Sequence, residues 1–472
     1  MTGKPLGRHA ADWILMLVLV VGFSCQVVVF HRVIQLLPDT GFSIGGAFAR
    51  LAANLGQHGT IGEMSEAAGV VLPDTRHAPL FPAVMALVYR AFGMEARWAL
   101  VVNNFCYALT LVLTFLLGRR LHPWGGVFVV LFVVLDPLFL YASNAVTPDA
   151  LFLLLTVWLM WHVLWVLREG VTARRVAGVA VLLSLLELAQ PIGLYAWLAV
   201  GGAIAFHQWR RIPWRYLLML LGVIVFVQAG TVGLWSLRQV MAGGTFSFAA
   251  TNGAGLGEMI GAFPALYLSL PVDLFALFLD PEGQEHLGAY LGHHAILARS
   301  WSEWLTAVRQ LVASGYGSLV AVDLFSKVAS LSLLILAVAG AWRSRRDTDR
   351  AAAATGLFLA LLFVCFVAGS AVYATGNYRL PMVPVVNLLA FYAVWGIVRP
   401  GSAAVAATPA REFLPVEGGD ATAAVAASST IATGPELVTP PAEGGEVTSG
   451  VMLAGNASPS DTGDKTETNK RG

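Results

Sequence analysis

Residues 97–134 read RWALVVNNFCYALTLVLTFLLGRRLHPWGGVFVVLFVV. An apolar run long enough to cross a bilayer ends in a short turn bearing Arg119 and Arg120, and a second apolar run starts at once. A span needs about 20 predominantly apolar residues, so this is a membrane hairpin with a basic turn. The pattern repeats along the chain. Short turns between apolar runs carry Lys4 and Arg8; Arg168, Arg174 and Arg175; Arg210, Arg211 and Arg215; Arg343, Arg345, Arg346 and Arg350; and Arg399. Positive charge near span ends is retained in the cytoplasm, so these turns fix orientation. Both termini are then cytoplasmic, and the long polar connections 37–96 and 236–326 face outward.

Composition agrees. Hydrophobic residues make up 57% of the 472 and charged residues 12%, with a mean hydropathy of +0.71. A soluble domain carries roughly a quarter charged residues, so the chain is a membrane protein. The net charge of +1 sits in turns, not on one basic face, which argues against a nucleic-acid partner. Cys25, Cys106 and Cys365 all lie in apolar runs, so neither disulfides nor a zinc site is expected. The basic start and the run from Trp13 to about Ile34 read as a retained first span, not a cleaved signal.

The apolar runs predict an all-α polytopic protein with about ten spans, near 12–35, 97–118, 124–142, 149–167, 174–189, 191–207, 215–235, 327–342, 351–372 and 382–398. The pair flanking Gln190-Pro191 meets at an outward-facing proline break. Phe42–Leu55, Pro79–Phe92, Pro264–Leu279 and Ile296–Leu311 predict helices lying in the interface plane, where Trp235, Trp301 and Trp304 supply an aromatic belt. Residues 1–398 form the membrane domain. From 399 to 472 the chain turns to Ala, Thr, Gly, Pro and Glu, the composition of a disordered tail.

Several polar residues invite chemistry. Asp149 opens the fourth span in Ala145–Phe152. With Thr147 as N-cap and Pro148 at the first helical position, the helix end alone accounts for a carboxylate there; a functional role is the other reading. Arg379 stands in the short outward turn Tyr373–Leu380, where arginine is depleted. A guanidinium there fits a bidentate phosphate clamp, with interfacial anchoring beside Tyr378 as the alternative. Arg238 and Arg76 raise the same question in the long loops, while Asp39 reads as an ordinary loop carboxylate. Glu187 and His162 lie within spans, costly places for polar side chains. His286, His293 and His294, with Glu282 and Glu285, lack a helical ligand pair and read as a solvated loop, so no metal is assigned.

Four stretches in order resemble the GT-C membrane glycosyltransferases, in the bacterial branch similar to dolichyl-phosphate-mannose protein mannosyltransferases and the lipid A aminoarabinose transferase. They are Arg76-His77-Ala78-Pro79-Leu80-Phe81-Pro82, preceded by Leu51–Leu55; Asp136-Pro137-Leu138 with Tyr141–Ser143 and Thr147–Phe152; Trp235–Arg238 with Phe246–Pro264, including Thr251-Asn252-Gly253; and Asn377–Pro384. The resemblance covers about residues 10–398. It implies transfer of a sugar from a polyprenyl-phosphate donor to a periplasmic acceptor at the inner membrane, with inversion, no cofactor and no catalytic metal. It assigns Asp39 and Asp149 to catalysis, with Asp39 as base. Arg379, Arg238 and Tyr378 take the donor phosphate, and Arg76, Gln190 and Asn252 line the substrate cavity. The family's usual acid falls about eleven residues before the Leu55 position, where Ile44 stands, and its Arg-Pro pair is Gln190-Pro191 here. A non-catalytic scaffold or lipid-linked-sugar flippase is the competing class. A transporter, however, shows inverted repeats with polar groups at mid-membrane, and here the polar groups gather at the outer face.

Overall fold

The computed structural model describes residues 13–14, 16–24, 26–28, 31, 46–65, 70–75, 77–122, 124–134, 136–209, 211–242, 309, 313, 317–373 and 380–395. All lie in the first of two units, Met1–Pro400, the second being Gly401–Gly472. After helical residues between 13 and 31 come α1 (Gly46–His58), strands β1 (Gly62–Ser65) and β2 (Val70–Pro73), α2 (Leu80–Phe92), α3 (Ala96–Leu121), α4 (Gly125–Val134) and α5 (Pro137–Asn144). There follow α6 (Asp149–Glu169), α7 (Ala173–Ala189), a 3-10 turn (Pro191–Tyr195), α8 (Ala196–Gln208) and α9 (Trp214–Met241). The last elements are α10 (Gly317–Ser344), α11 (Arg350–Tyr373), a 3-10 turn (Leu380–Met382) and α12 (Val383–Trp395).

Five of these helices are long and apolar enough to cross a membrane: α3, α6, α9, α10 and α11 over the stretches Arg97–Leu121, Asp149–Glu169, Trp214–Met241, Lys327–Ser344 and Arg350–Gly369. Their burial separates core from periphery. In α6, 72% of the apolar window is buried, against 22% in α9 and in α10. Phe226 and Leu234 on α9 and Ile335 and Val338 on α10 are exposed, as lipid-facing side chains must be. The core gathers Phe139, Phe152, Phe358 and Phe366 with the leucines of α6 and α7.

Several boundaries depart from the sequence reading. The expected span 124–142 is two helices, because Pro137 cannot continue α4 and instead opens α5 at its first turn. The Asp136 carboxylate accepts the Leu138 N–H there at 3.0 Å. The expected span 191–207 begins as a 3-10 turn, with Pro191 at its start and α8 following. Spans seven and eight are longer than read: α9 runs on to Met241 and α10 starts at Gly317, so Ser236–Met241 and Gly317–Ser326 are helix, not loop. The interfacial helices expected at Phe42–Leu55 and Pro79–Phe92 correspond to α1 and α2, with α1 ending at His58. Between them stands an antiparallel hairpin the sequence reading lacks, pairing Gly62 with Pro73 and Ser65 with Val70. Pro264–Leu279 and Ile296–Leu311 lie essentially outside the described residues, as do Cys25 and the histidines 286, 293 and 294. Cys106 and Cys365 are free and buried.

The basic turns meet at one end of the bundle. Arg168 Nη1 donates to the Arg120 carbonyl at 2.6 Å, and Arg350 Nη2 to the Phe206 carbonyl at 2.8 Å. Arg343 Nη1 donates to the Ala393 carbonyl at 2.8 Å, and Tyr392 donates to Asp347 at 2.5 Å. The α3–α4 hairpin closes tightly there: a Cβ on Gly118 would come 2.4 Å from the Gly125 carbonyl oxygen, so only glycine fits. Arginines that satisfy last-turn carbonyls of neighbouring helices both cap them and complement their dipoles. If this end is cytoplasmic, an impermeant thiol reagent applied to intact cells marks single cysteines placed in 37–96 and 242–316 and spares those in 343–350. Labelling at 343–350 would invert the topology and move the site to the other face.

Candidate functional site

At the opposite end the chain must turn between α3, α5 and α6, and asparagines hold that turn. Asn103 Nδ2 donates to the carbonyl of Thr147 at 3.1 Å and also to that of Ala145. Asn104 Nδ2 donates to the carbonyls of Leu100 and Ser143 at 2.8 and 3.0 Å. Gln26 Nε2 donates to Ser143 Oγ at 2.7 Å and to Asn104 Oδ1. Orphan carbonyls at a break between membrane helices need such donors, because lipid offers none. The result is a fixed platform for the start of α6.

Asp149 occupies that platform and is buried, 7% exposed. Its Oδ2 accepts from Thr147 Oγ1 at 2.8 Å, and its Oδ1 accepts from Gln190 Nε2 at 2.6 Å. The expected N-cap role of Thr147 is not what forms. Pro148 is the N-cap residue, without a side-chain cap bond, and the threonine hydroxyl is spent on the carboxylate. The negative charge still sits at the positive end of α6. Two residues singled out from the sequence, Asp149 and Gln190, are therefore one buried pair 41 positions apart in the chain.

Gln190 is placed by the break that follows it. It caps α7, its N–H bonding the Leu186 carbonyl at 3.0 Å, and Pro191 starts the 3-10 turn. That turn lies hard against α7: a Cβ on Gly193 would meet the Leu186 oxygen at 2.8 Å. One turn earlier, Glu187 is wholly buried, and neither carboxyl oxygen has a hydrogen-bond partner among the described residues. Further inward, Gln228 and Thr231 of α9 bond the Ala180 carbonyl and Ser184 Oγ of α7 at 3.1 and 2.9 Å. This polar seam was not legible in the sequence.

Arg238 lies in the last turns of α9, not in a loop. Its Nη2 donates to the Ile61 carbonyl at 2.8 Å and its Nη1 to the Asp74 carbonyl and to Gln239 Oε1. Its guanidinium carbon sits 4.9 Å from the Trp235 ring centroid. Ile61 and Asp74 flank the β1–β2 hairpin, so Arg238 clamps both ends of that hairpin to α9. Beside it, Asp74 accepts from the His77 N–H at 2.8 Å and from His77 Nδ1 at 3.1 Å. Phe48 of α1 meets the His77 ring edge-on at 4.9 Å and Phe81 at 5.8 Å. It packs on a cluster of Phe81, Met85, Tyr89 and Val146, and Val146 belongs to the turn that presents Asp149. Burial pushes the Tyr89 hydroxyl up to about 12.

Asp39, Arg76, Asn252, Tyr378 and Arg379 lie outside the described residues. Leu380, the neighbour of Arg379, is buried, and its 3-10 turn packs against α6 and α11. Among the described residues no three histidine, cysteine or carboxylate side chains gather as a metal site.

Residues 76–232 match the family model described as dolichyl-phosphate-mannose-protein mannosyltransferase. The match spans Arg76, Asp149 and Gln190, so over this stretch the chain is similar to the family whose resemblance was read from the sequence, and its long apolar helices make it a polytopic membrane protein. Among solved structures, ArnT from Cupriavidus metallidurans in the apo state is similar at 15% identity and a TM-score of 0.47, over 82% of this chain and 60% of that one. The same protein bound to undecaprenyl phosphate gives 15% and 0.46, over 79% and 59%. AglB from Archaeoglobus fulgidus, an archaeal oligosaccharyltransferase in complex with an inhibitory peptide and a dolichol-phosphate, gives 11% and 0.43, over 78% and 50%. The chain thus spans 60% or less of the solved proteins it resembles. No curated protein matches the sequence.

Proposed function

We propose that the chain is a bacterial inner-membrane glycosyltransferase that moves a sugar from a polyprenyl-phosphate donor to an acceptor on the periplasmic side. One observation carries the reading most: the segment matching the mannosyltransferase family builds the buried Asp149–Gln190 contact out of the two residues that the resemblance places in the site. The donor class follows from the family's own description, since dolichyl-phosphate mannose is a polyprenyl-phosphate sugar.

In this reading the lipid-linked donor enters laterally from the bilayer, and Arg379, beside Tyr378, meets its phosphate. A planar guanidinium matches two phosphate oxygens and stabilises the charge that grows as the sugar–oxygen bond breaks. Asp149 accepts from Thr147 and Gln190, and its remaining lone pairs orient the acceptor. A base on the first outward loop deprotonates the acceptor hydroxyl. Direct displacement inverts the anomeric centre, and a preorganised guanidinium makes a metal unnecessary for departure of the phosphate.

The test is a set of proteoliposomes holding the full-length protein and a panel of undecaprenyl-phosphate monosaccharides. Release of undecaprenyl phosphate, followed by mass spectrometry, is the expected result. Lipid extracts of a deletion strain, in which the unused donor accumulates, then identify the sugar. Donors that bind or cross the vesicle membrane without cleavage would replace this reading with the scaffold or flippase.

A further inference from the structure

We infer that His77, oriented by Asp74, is the base that takes the proton from the acceptor hydroxyl. The inference rests on the glycosyl-transfer reading and names a group that reading leaves open.

The geometry is that of a carboxylate–imidazole dyad. Asp74 is fixed from two sides: its carbonyl is held by Arg238, and its carboxylate accepts both the His77 backbone N–H and Nδ1. An ionised carboxylate can only accept, so Nδ1 carries the hydrogen and Nε2 keeps its lone pair. Nε2 has no hydrogen-bond partner among the described residues. The Asp74 side chain is 8% exposed and the His77 side chain 29%, so the carboxylate is sheltered while the imidazole reaches the surface. Phe48 sets the ring plane by its edge-on contact. A base held by a third group in this way is the arrangement that activates hydroxyl nucleophiles.

Placement supports the role. Phe48 ties His77 to the cluster containing Val146, and α2, which His77 precedes, also touches α7, the helix that Gln190 caps. The dyad therefore stands at the same end of the bundle as Asp149. Among the described residues, the charged groups on the elements around it are Asp74 itself, Arg238 of α9 through the Asp74 carbonyl, and the exposed Arg50–Glu63 pair of α1 and β1, 3.5 Å apart. The aromatic neighbours, Phe48 and Phe81, are uncharged. The step balances as follows. The acceptor O–H proton passes to Nε2, and the oxygen bonds the anomeric carbon. The carbon–oxygen bond to phosphate breaks, with its electron pair leaving on polyprenyl phosphate, and the imidazolium then returns its proton to water.

The pH–rate profile of the full-length protein in proteoliposomes, with the undecaprenyl-phosphate monosaccharide that supports turnover, tests this. His77→Gln lowers kcat by about a hundredfold or more, the usual contribution of a general base, and removes the limb on which the rate rises with pH. Binding of undecaprenyl phosphate alone stays close to wild type. Asp74→Asn keeps an oxygen to accept the His77 N–H, so the turn survives. The rate then falls, because the ring is no longer held at Nδ1 by a carboxylate. Nitrogen NMR of labelled histidine shows the neutral ring as the Nδ1–H tautomer whether or not a donor has been found. An Nε2–H tautomer overturns the proposal. So does a His77→Gln profile that instead loses a falling alkaline limb together with undecaprenyl-phosphate binding, which would make the imidazolium a phosphate contact. A silent His77→Gln beside an inactive Asp39→Asn returns the base to Asp39. Failure of the wild type to cleave any donor would count against the glycosyl-transfer reading itself, and the tautomer would still judge the dyad.

Discussion

Arg379→Ala should abolish sugar transfer while leaving the protein folded and in the membrane. Losing one preorganised charge-assisted contact to a developing anion costs on the order of 3 kcal/mol, about a hundredfold in rate. Arg379 stands next to Leu380, whose buried turn is packed against α6 and α11. By the direction of the chain, that turn lies at the Asp149 end: α12, which it starts, runs to Tyr392 and the Asp347 contact among the basic turns. Arg379→Lys should recover only part of the rate, since a point charge cannot make two parallel bonds to phosphate. The measurement is undecaprenyl-phosphate release under single-turnover conditions, with binding of undecaprenyl phosphate followed separately. Wild-type turnover in Arg379→Ala would reduce the residue to an interfacial anchor and leave the donor phosphate to other groups.

The sequence carried the membrane class and the grouping of basic turns, because hydrophobic run length and arginine placement are local signals. The contacts of Arg168, Arg343 and Arg350 with neighbouring turns show those arginines meeting at one end of the bundle. The Asp149–Gln190 contact was half legible. Each residue drew attention by its position, but a hydrogen bond across 41 residues depends on how α6 and α7 pack, and no local pattern encodes that. Arg238 shows the limit more sharply. Read as a loop residue just past the seventh span, it suggested a phosphate ligand; in the fold it is helical and braces the Ile61 and Asp74 carbonyls. The hairpin it braces escaped the reading because four-residue strands are too short for alternation to register. His77 escaped because its partner, Asp74, looks like any loop carboxylate until the turn between them closes.

Asp149 offers the second large effect, and its two substitutions should separate structure from chemistry. In Asp149→Ala, Gln190 Nε2 and Thr147 Oγ1 lose their buried acceptor. Leaving a buried donor unsatisfied costs about 1–3 kcal/mol, so the thermal midpoint in detergent should fall clearly. In Asp149→Asn, rotation of the Gln190 amide presents its oxygen to the new N–H, and Thr147 keeps an oxygen to donate to. The midpoint should then stay near wild type while the negative charge at the start of α6 is gone. If that charge orients the acceptor, transfer in Asp149→Asn falls by a factor on the order of a hundred despite intact folding, the scale of one electrostatic contact in a site. Gln190→Ala should lower the midpoint in the same way as Asp149→Ala, and the double mutant should lose less than the sum, with a coupling of about 0.5–3 kcal/mol. Gln190→Arg is the informative reversal. It supplies the arginine that the resembling family carries before this proline, and the carboxylate can accept it as an ion pair. Additive single losses would show that Asp149 and Gln190 do not act together, and a fully active Asp149→Asn would leave the carboxylate as a helix-end residue and no more.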